Sequence, residues 1–290
     1  MRNYGSGWGL EKMFGRATVI GLILTFGLRL LCLAEGRQTV PKTPDVRTPV
    51  VVELFTSEGC SSCPAADNLL ARLAESQPIP DAEIIALAEH VDYWNHLGWK
   101  DPFSSVQFTE RQKWYVEFFR SDGAYTPQMV VDGQVEFIGS NVDKAREAIL
   151  KAARLPKASI SLVSATAQRS GSRKGTAVSI KITVDHLPPI SPRETTEVLL
   201  AVTESNLRTE VLRGENAGRH LRHTAVVRRF DVLGRINSSQ PLPFSADSTV
   251  ALESGWRIEN LQAIVLVQER KSRRILGAMS IPLKPPDGQD

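Results

Sequence analysis

Cys60 and Cys63, separated by two serines, are the residues whose type and spacing most clearly allow chemistry in this chain. A Cys-x-x-Cys pair can exchange electrons with other thiols, supply two soft ligands to a metal, or form a structural disulfide. A disulfide at this spacing closes a very short loop and therefore stabilises the fold little. The pair is better explained by its chemistry than by cross-linking.

The N-terminal segment at 1–34 has the features of an export signal. Basic residues precede an apolar run at 17–28, and Ala34 offers a small residue for cleavage. An uncleaved anchor is the alternative, but the run is shorter than the roughly 20 residues that span a bilayer. Cleavage would remove Cys32 and leave one cysteine pair in a compartment where disulfides persist.

The charge of the mature chain gives no indication of a nucleic-acid partner. The sequence has 35 basic and 32 acidic residues, and residues 1–34 contain four of the former and one of the latter. Their removal leaves 31 of each, so the basic pI belongs to the leader. A hydrophobic content of 42% and a charged content of 23% are ordinary for a globular protein.

The elements that must position the cysteines alternate between strands and helices up to about residue 154. The patterns predict strands at 49–55 and 82–88, helices at 60–75, 105–119 and 141–154, and a hairpin at 129–138. The first strand ends just before Cys60, and the next helix begins with the cysteine pair. After a flexible lead-in at 35–48, the order predicts an α/β domain with a mixed central sheet at 49–154.

The pattern changes to short alternating strands after Leu155. This rhythm predicts an antiparallel β-sandwich-like domain at 157–285. A polar loop with two glycines, at 214–220, is expected to turn the chain, and partner binding is the alternative. His186 and His223 are expected at the surface.

Several motifs resemble the thioredoxin fold and, more narrowly, a family of secreted, thioredoxin-like bacterial proteins catalogued as a domain of unknown function. They are ELFTSEGCSSCPAAD, HVDYWNHLGWKDPFSS, FTERQ and YTPQMVVDG, with GENAGRHLRH in the second half. The resemblance implies a thioredoxin-like domain, thiol–disulfide redox chemistry and a periplasmic or secreted location. It also implies that Pro127 is cis and faces the cysteines. The Ser-Ser dipeptide departs from the thioredoxin pattern, so the redox direction stays open.

Cys60 is predicted to be the nucleophile, because the positive end of a helix favours its thiolate and lowers its pKa below about 8.5. Cys63 would resolve the mixed disulfide. Thr126 and Pro127 would present a backbone edge to an extended substrate. Glu53 interrupts an apolar strand and resembles the buried acid of thioredoxins that relays a proton; a position at the rim in water is the alternative.

The aromatic segment at 90–103 supplies the remaining candidates for substrate contact. It follows the second strand at the end where open α/β sheets bind their ligands. His90, Asp92 and Trp94 could therefore wall a cleft over Cys60. Packing of the loop onto the domain is the alternative, and it is favoured for Trp94.

Three functions remain open from the sequence. The first is an exported thiol–disulfide oxidoreductase that acts on cysteine-containing exported proteins or small thiols and needs no cofactor. The second is a copper-binding accessory protein with Cys60, Cys63 and His90 as ligands. The third is a non-enzymatic interaction module. The position at a helix start and the Thr-Pro motif favour the first.

Overall fold

The computed structural model describes residues 47–169, 176–190, 193–237 and 242–283. The predicted export signal at 1–34 and most of the lead-in at 35–48 lie outside these residues. Among the helices of the described ranges, none is long and apolar enough to cross a membrane.

The first half follows the predicted alternation, and strands dominate the second. The elements are β1 Thr48–Thr56, α1 Cys63–Ser76, β2 Ala82–His90, α2 Val106–Phe119, β3 Gln128–Val131, β4 Val135–Ile138, α3 Val142–Ala152, β5 Ser159–Arg169, β6 Thr176–His186, β7 Thr196–Glu204, β8 Leu207–Glu210, β9 His220–His223, β10 Val226–Ile236, β11 Phe244–Ala251, β12 Leu261–Glu269 and β13 Ile275–Pro282. A single turn of 3-10 helix, Ile258–Asn260, precedes β12.

One mixed sheet of eight strands organises the molecule, in the order β13-β12-β7-β10-β2-β1-β3-β4. β1 and β2 are parallel, and β3 runs antiparallel to β1. Because β1 and β2 are parallel, their carboxyl ends meet at one edge, where Thr56 lies opposite His90. The cysteines follow directly after this end of β1.

The predicted elements of the first half are confirmed, with small changes at their ends. α1 begins at Cys63 rather than at residue 60, and Pro64 lies in its first turn, where its missing N–H is not needed. Asn141 caps α3 by accepting a hydrogen bond from the amide of Lys144. Cys60 therefore lies in the turn before the helix and not within it.

α1 and α3 pack on one face of the sheet near the cysteines, and α2 packs on the other. Leu54 of β1 belongs to a core with Leu70 of α1 and Ile149 of α3. Its neighbour Phe55 packs with Tyr115 of α2. Alternate residues of β1 thus point to opposite faces, as in any strand.

The strands after residue 155 do not form a separate sandwich. β7, β10, β12 and β13 continue the sheet of the first half, and Val226 of β10 pairs with Ala88 of β2. A second sheet, β11-β6-β5, packs on β7 and β12 of the large sheet. Two sheets therefore pack face to face in this part of the molecule, as a sandwich would. The described residues belong to one compact unit, and the predicted division between 49–154 and 157–285 runs through a shared sheet.

Candidate functional site

The two cysteines lie in a tight turn between β1 and α1. Both are free thiols, and they are 1% and 0% exposed. The amide of Cys60 donates to the carbonyl of Ser57, and the amide of Cys63 donates to the carbonyl of Cys60, each at 3.2 Å. This turn places Cys60 Sγ 3.2 Å from Ser62 Oγ and 3.7 Å from the carbonyl oxygen of Thr126.

The two sulfurs differ strongly in acidity. The hydrogen bond from Cys63, helped by that from Ser62, lowers the pKa of Cys60 to about 6. Burial raises the pKa of Cys63 far above its ordinary value, and its hydrogen bond to Cys60 raises it further. At neutral pH the pair therefore holds a thiolate on Cys60 and a proton on Cys63. A thiolate is the species that attacks in disulfide exchange.

Thr126 and Trp94 lie beside this turn. The Thr126–Pro127 peptide bond is cis, as the resemblance implied. Trp94 Nε1 donates to the Thr126 hydroxyl at 2.8 Å, and a side chain at Gly59 would come within 3.0 Å of Trp94 Cβ. Two of the predicted substrate contacts, Thr126 and Trp94, are thus brought to the cysteines.

His90 and Asp92 are placed differently from each other. His90 is 1% exposed, and its Nδ1 lies 2.7 Å from Asp101 Oδ2. Burial opposes protonation of His90, but the pairing with Asp101 outweighs it and raises the pKa. His90 therefore presents no surface to a substrate. Asp92 is half-buried, accepts a hydrogen bond from the Thr109 hydroxyl, and lines a shallow cavity of about 560 Å³ beside Tyr93.

Glu53 is fully buried, but it does not face the cysteines. Arg111 Nε donates to Glu53 Oε1 at 2.7 Å, and the Tyr115 hydroxyl donates to Oε2 at 2.6 Å. Both partners belong to α2, whereas the cysteine pair leads into α1 on the opposite face. The position of Glu53 is therefore wrong for the proton relay that the sequence predicted.

Asp67 is an acid on the same helix as the cysteine pair's second member, one turn further along α1. Its Oδ1 accepts a hydrogen bond from the Thr56 hydroxyl at 2.7 Å. Loss of contact with water raises the pKa of Asp67. Sequence reasoning missed this residue, although four-residue spacing on a predicted helix places two side chains on one face.

Two histidine–carboxylate pairs lie behind the turn. His223 Nε2 is 2.9 Å from Glu58 Oε1, and the rings of His223 and His90 are 5.1 Å apart. The amide of Glu58 donates to Asp101 Oδ2 at 2.8 Å, which links the two pairs. His223 is 3% exposed, so its predicted surface position is wrong. Its partner is 165 residues away, and no local signal in the sequence reveals such a contact.

The loop at 214–220 contacts the cysteine turn directly. Asn216 is fully buried, and its Nδ2 donates to the carbonyls of Glu58 and Cys60 at 2.8 and 2.9 Å. Glu215 Oε2 accepts a hydrogen bond from the amide of Ser61 at 3.0 Å. The loop therefore does more than turn the chain, because it binds the backbone before and after Cys60.

The sequence matches a family model described as "Protein of unknown function (DUF1223)" over residues 51–268. The chain belongs to this family. No curated protein matches the chain. Its fold is similar to the crystal structure of protein AGR_C_4864 from Agrobacterium tumefaciens, with a TM-score of 0.59, 22% identity, and coverage of 84% of this chain and 98% of that one.

HBP35 of Porphyromonas gingivalis is also similar, with a TM-score of 0.56, 15% identity, and coverage of 84% of this chain and 79% of that one. At these identities both similarities show the fold alone. The stretch matched by the DUF1223 model contains the cysteine turn, Asp67, the Thr126–Pro127 bond and the loop at 214–220. Its limits thus cross the boundary that the sequence predicted near residue 155.

A metal site of the predicted kind is not formed in this DUF1223 chain. Within the ranges that the structure describes, no group of three or more His, Cys, Asp or Glu side chains could hold a metal ion. His90 is paired with Asp101 instead of converging on the sulfurs. The copper site with Cys60, Cys63 and His90 as ligands therefore has no support from the geometry.

Proposed function

We propose that this protein is an exported thiol–disulfide oxidoreductase with Cys60 as its nucleophile and Cys63 as its resolving thiol. The observation that carries the proposal is the cysteine turn itself, which places Cys60 Sγ 3.2 Å from Ser62 Oγ and 3.7 Å from the carbonyl oxygen of Thr126, next to the cis Pro127. The two thiols also differ in acidity. Hydrogen bonding lowers the pKa of Cys60 to about 6, and burial raises that of Cys63. A dithiol that served only to cross-link the chain would not need this contrast.

We also propose that the first half is a thioredoxin-like domain. Its strands follow the order β2-β1-β3-β4, with β1 and β2 parallel and joined through the helix that begins at the cysteine pair. α1 and α3 share one face, and a cis proline at 127 adjoins the cysteine turn. Each of these features supports the resemblance carried by the sequence motifs.

The reaction has two steps. The Cys60 thiolate attacks one sulfur of a substrate disulfide, forms a mixed disulfide and releases the other substrate sulfur as a thiolate. Cys63 then loses its proton and attacks Cys60 Sγ, which releases the second substrate thiolate and leaves a Cys60–Cys63 disulfide. Two electrons pass from the protein to the substrate, and the reverse sequence oxidises a substrate dithiol. Asp67, one turn from Cys63, is the group positioned to receive that proton.

The burial of Cys60 limits which partners reach it directly. With 1% of the residue exposed, a substrate sulfur has to displace neighbouring groups before it meets Sγ. Small thiols and flexible cysteine-containing segments of exported proteins fit this requirement better than rigid surfaces. The backbone edge at Thr126 and Pro127 is where such a segment would pair.

Equilibration with reduced and oxidised glutathione tests the proposal. We expect a reversible Cys60–Cys63 disulfide, with a standard potential roughly between the −270 mV of thioredoxin and the −120 mV of DsbA, because the thiolate stabilises the reduced form. The Cys60→Ser variant should form no such couple. A wild-type protein whose two thiols stay reduced at every glutathione ratio would refute the function.

A further inference from the structure

We propose that Asn216 is a positioning residue of the redox site, which holds the turn that carries Cys60 from a loop in the second half of the chain. The inference rests on the proposed function for its meaning, because it explains how the nucleophile is kept in place. It also assigns a role to the loop at 214–220, for which the sequence predicted a turn of the chain or partner binding.

The hydrogen bonds of Asn216 use its entire donor capacity. Its amide nitrogen has two N–H groups, and they bind the carbonyls of Glu58 and Cys60, which flank Gly59. One side chain therefore holds the Glu58–Gly59 and Cys60–Ser61 peptide groups, before and after the Gly59–Cys60 peptide. Because Asn216 is fully buried, water cannot replace these bonds if the side chain is removed.

Glu215 provides a second contact with the same turn. Its carboxylate accepts a hydrogen bond from the amide of Ser61, between the two cysteines, at 3.0 Å. Hydrogen bonding with Ser61 lowers the pKa of Glu215, so the carboxylate is ionised at neutral pH and the bond is charge-assisted. Adjacent residues of one loop thus bind the carbonyl and the amide of the same Cys60–Ser61 peptide group.

The loop is built to present Asn216 rigidly. The amide of Val211 donates to the carbonyl of Arg219 at 3.0 Å, and the amide of Gly218 donates to the carbonyl of Val211 at 2.7 Å. Gly214 has a φ of +78° and packs so closely on Trp99 that a Cβ would lie 3.2 Å from the Trp99 Cβ. Backbone closure and this contact fix the loop independently of the two polar side chains.

The position of the turn sets the acidity of the nucleophile. Cys60 Sγ keeps a distance of 3.2 Å to Ser62 Oγ only while the Cys60–Ser61 peptide group, which Asn216 holds, keeps its orientation. Without Asn216 the turn relaxes, these stabilising contacts lengthen, and the thiolate is less favoured. A purely structural asparagine would affect unfolding but would leave the titration of Cys60 unchanged.

The test uses the reduced full-length protein and the ultraviolet absorbance of the thiolate as a function of pH. We expect Asn216→Ala to raise the pKa of Cys60 by about one pH unit, which is a roughly tenfold loss of thiolate below pH 6. Asn216→Ser, which keeps one donor and perturbs the fold less, should show a smaller shift in the same direction. The equilibrium with glutathione should move toward the disulfide, because the reduced form loses stabilisation.

Two matched controls separate positioning from stability. Val265→Ala removes packing from β12, where Val265 is fully buried, and should lower the unfolding temperature without altering Cys60. Arg219→Ala changes an exposed side chain of the same loop and should leave both quantities near wild type. Wild-type titration of Cys60 in both Asn216 variants would overturn the inference. A wild-type protein that forms no disulfide would refute the proposed function instead, since the titration needs no turnover.

Discussion

The acidity of Cys60 depends chiefly on one neighbour, the thiol of Cys63. Its hydrogen bond is the largest influence on the pKa of Cys60, ahead of burial and of Ser62. The start of a helix alone, which the sequence suggested as the cause, is a weaker explanation because α1 begins at Cys63 and Cys60 lies before it. The second cysteine therefore has an electrostatic role in addition to the covalent role proposed for it.

Two substitutions at Cys63 should separate these roles. Cys63→Ala removes the donor, so we expect the pKa of Cys60 to rise from about 6 toward the 8.5 of a free thiol. Cys63→Ser keeps a hydroxyl donor and should retain most of the lowered pKa. The rate of alkylation by iodoacetamide as a function of pH measures both, since only the thiolate reacts.

Neither variant can resolve a mixed disulfide, so both should accumulate a glutathione adduct on Cys60 that mass spectrometry detects. Their pH profiles, however, should differ by more than one pH unit. Identical profiles for wild type and Cys63→Ala would show that the neighbouring thiol does not control the acidity of Cys60.

Residue types with a short-range signal could be assigned from the sequence, and residues defined by distant contacts could not. Cys60, Cys63 and Pro127 belong to local motifs and lie together in the structure. Glu53 was assigned to the wrong partner because an interrupted apolar strand indicates burial but not the face of burial. Asn216 contacts residues 156 and 158 positions away, and only the fold brings them together.

At the scale of elements, the aromatic segment after β2 forms one side of the site. Trp94 connects the cysteine turn to the Thr126 residue of the cis-proline segment, through its contact with Gly59 and its bond to the Thr126 hydroxyl. The sequence offered a wall over Cys60 or packing of the segment onto the domain, and it favoured packing for Trp94. Trp94 is half-buried and packs between Gly59 and Thr126, as packing would require.

Removal of the Trp94 side chain should change the access of reagents to Cys60. We expect Trp94→Ala to increase the reaction of Cys60 with a bulky maleimide severalfold more than its reaction with iodoacetamide, because the small reagent needs less opening. Trp94→Phe keeps an aromatic ring but loses the hydrogen bond to the Thr126 hydroxyl. Its ratio of maleimide to iodoacetamide rates should lie between those of wild type and Trp94→Ala. Rates at pH 7 with each reagent provide the comparison.

Trp114→Ala is the matched control for a lost indole ring. Trp114 lies on α2, where the Arg273 guanidinium stacks over its ring, and α2 packs on the face of the sheet opposite the cysteine helix. It should lower stability without changing the ratio of the two rates. An equal increase for both reagents in Trp94→Ala would indicate general loosening and not the removal of a wall.

At the scale of the whole molecule, the two halves share a sheet and a core. Leu87 of β2 packs in one cluster with Leu199 of β7 and Ile264 of β12. The alternating pattern after residue 155 correctly predicted strands, but alternation does not specify which strand pairs with which. β10 pairs with β2 at one residue pair, Val226 with Ala88. The hydrophobic periodicity of the sequence could not indicate this pairing.

The shared sheet predicts that the first half cannot fold alone. A fragment of residues 47–155 would leave the outer edge of β2 unpaired and would expose Val51, Ile85 and Leu87, which the second half buries. We expect this fragment to lack a cooperative thermal transition in far-ultraviolet circular dichroism, whereas residues 47–290 should unfold in one transition. A cooperative fragment whose Cys60 still titrates near pH 6 would contradict both the shared core and the role of Asn216, because that fragment contains neither β10 nor the loop at 214–220.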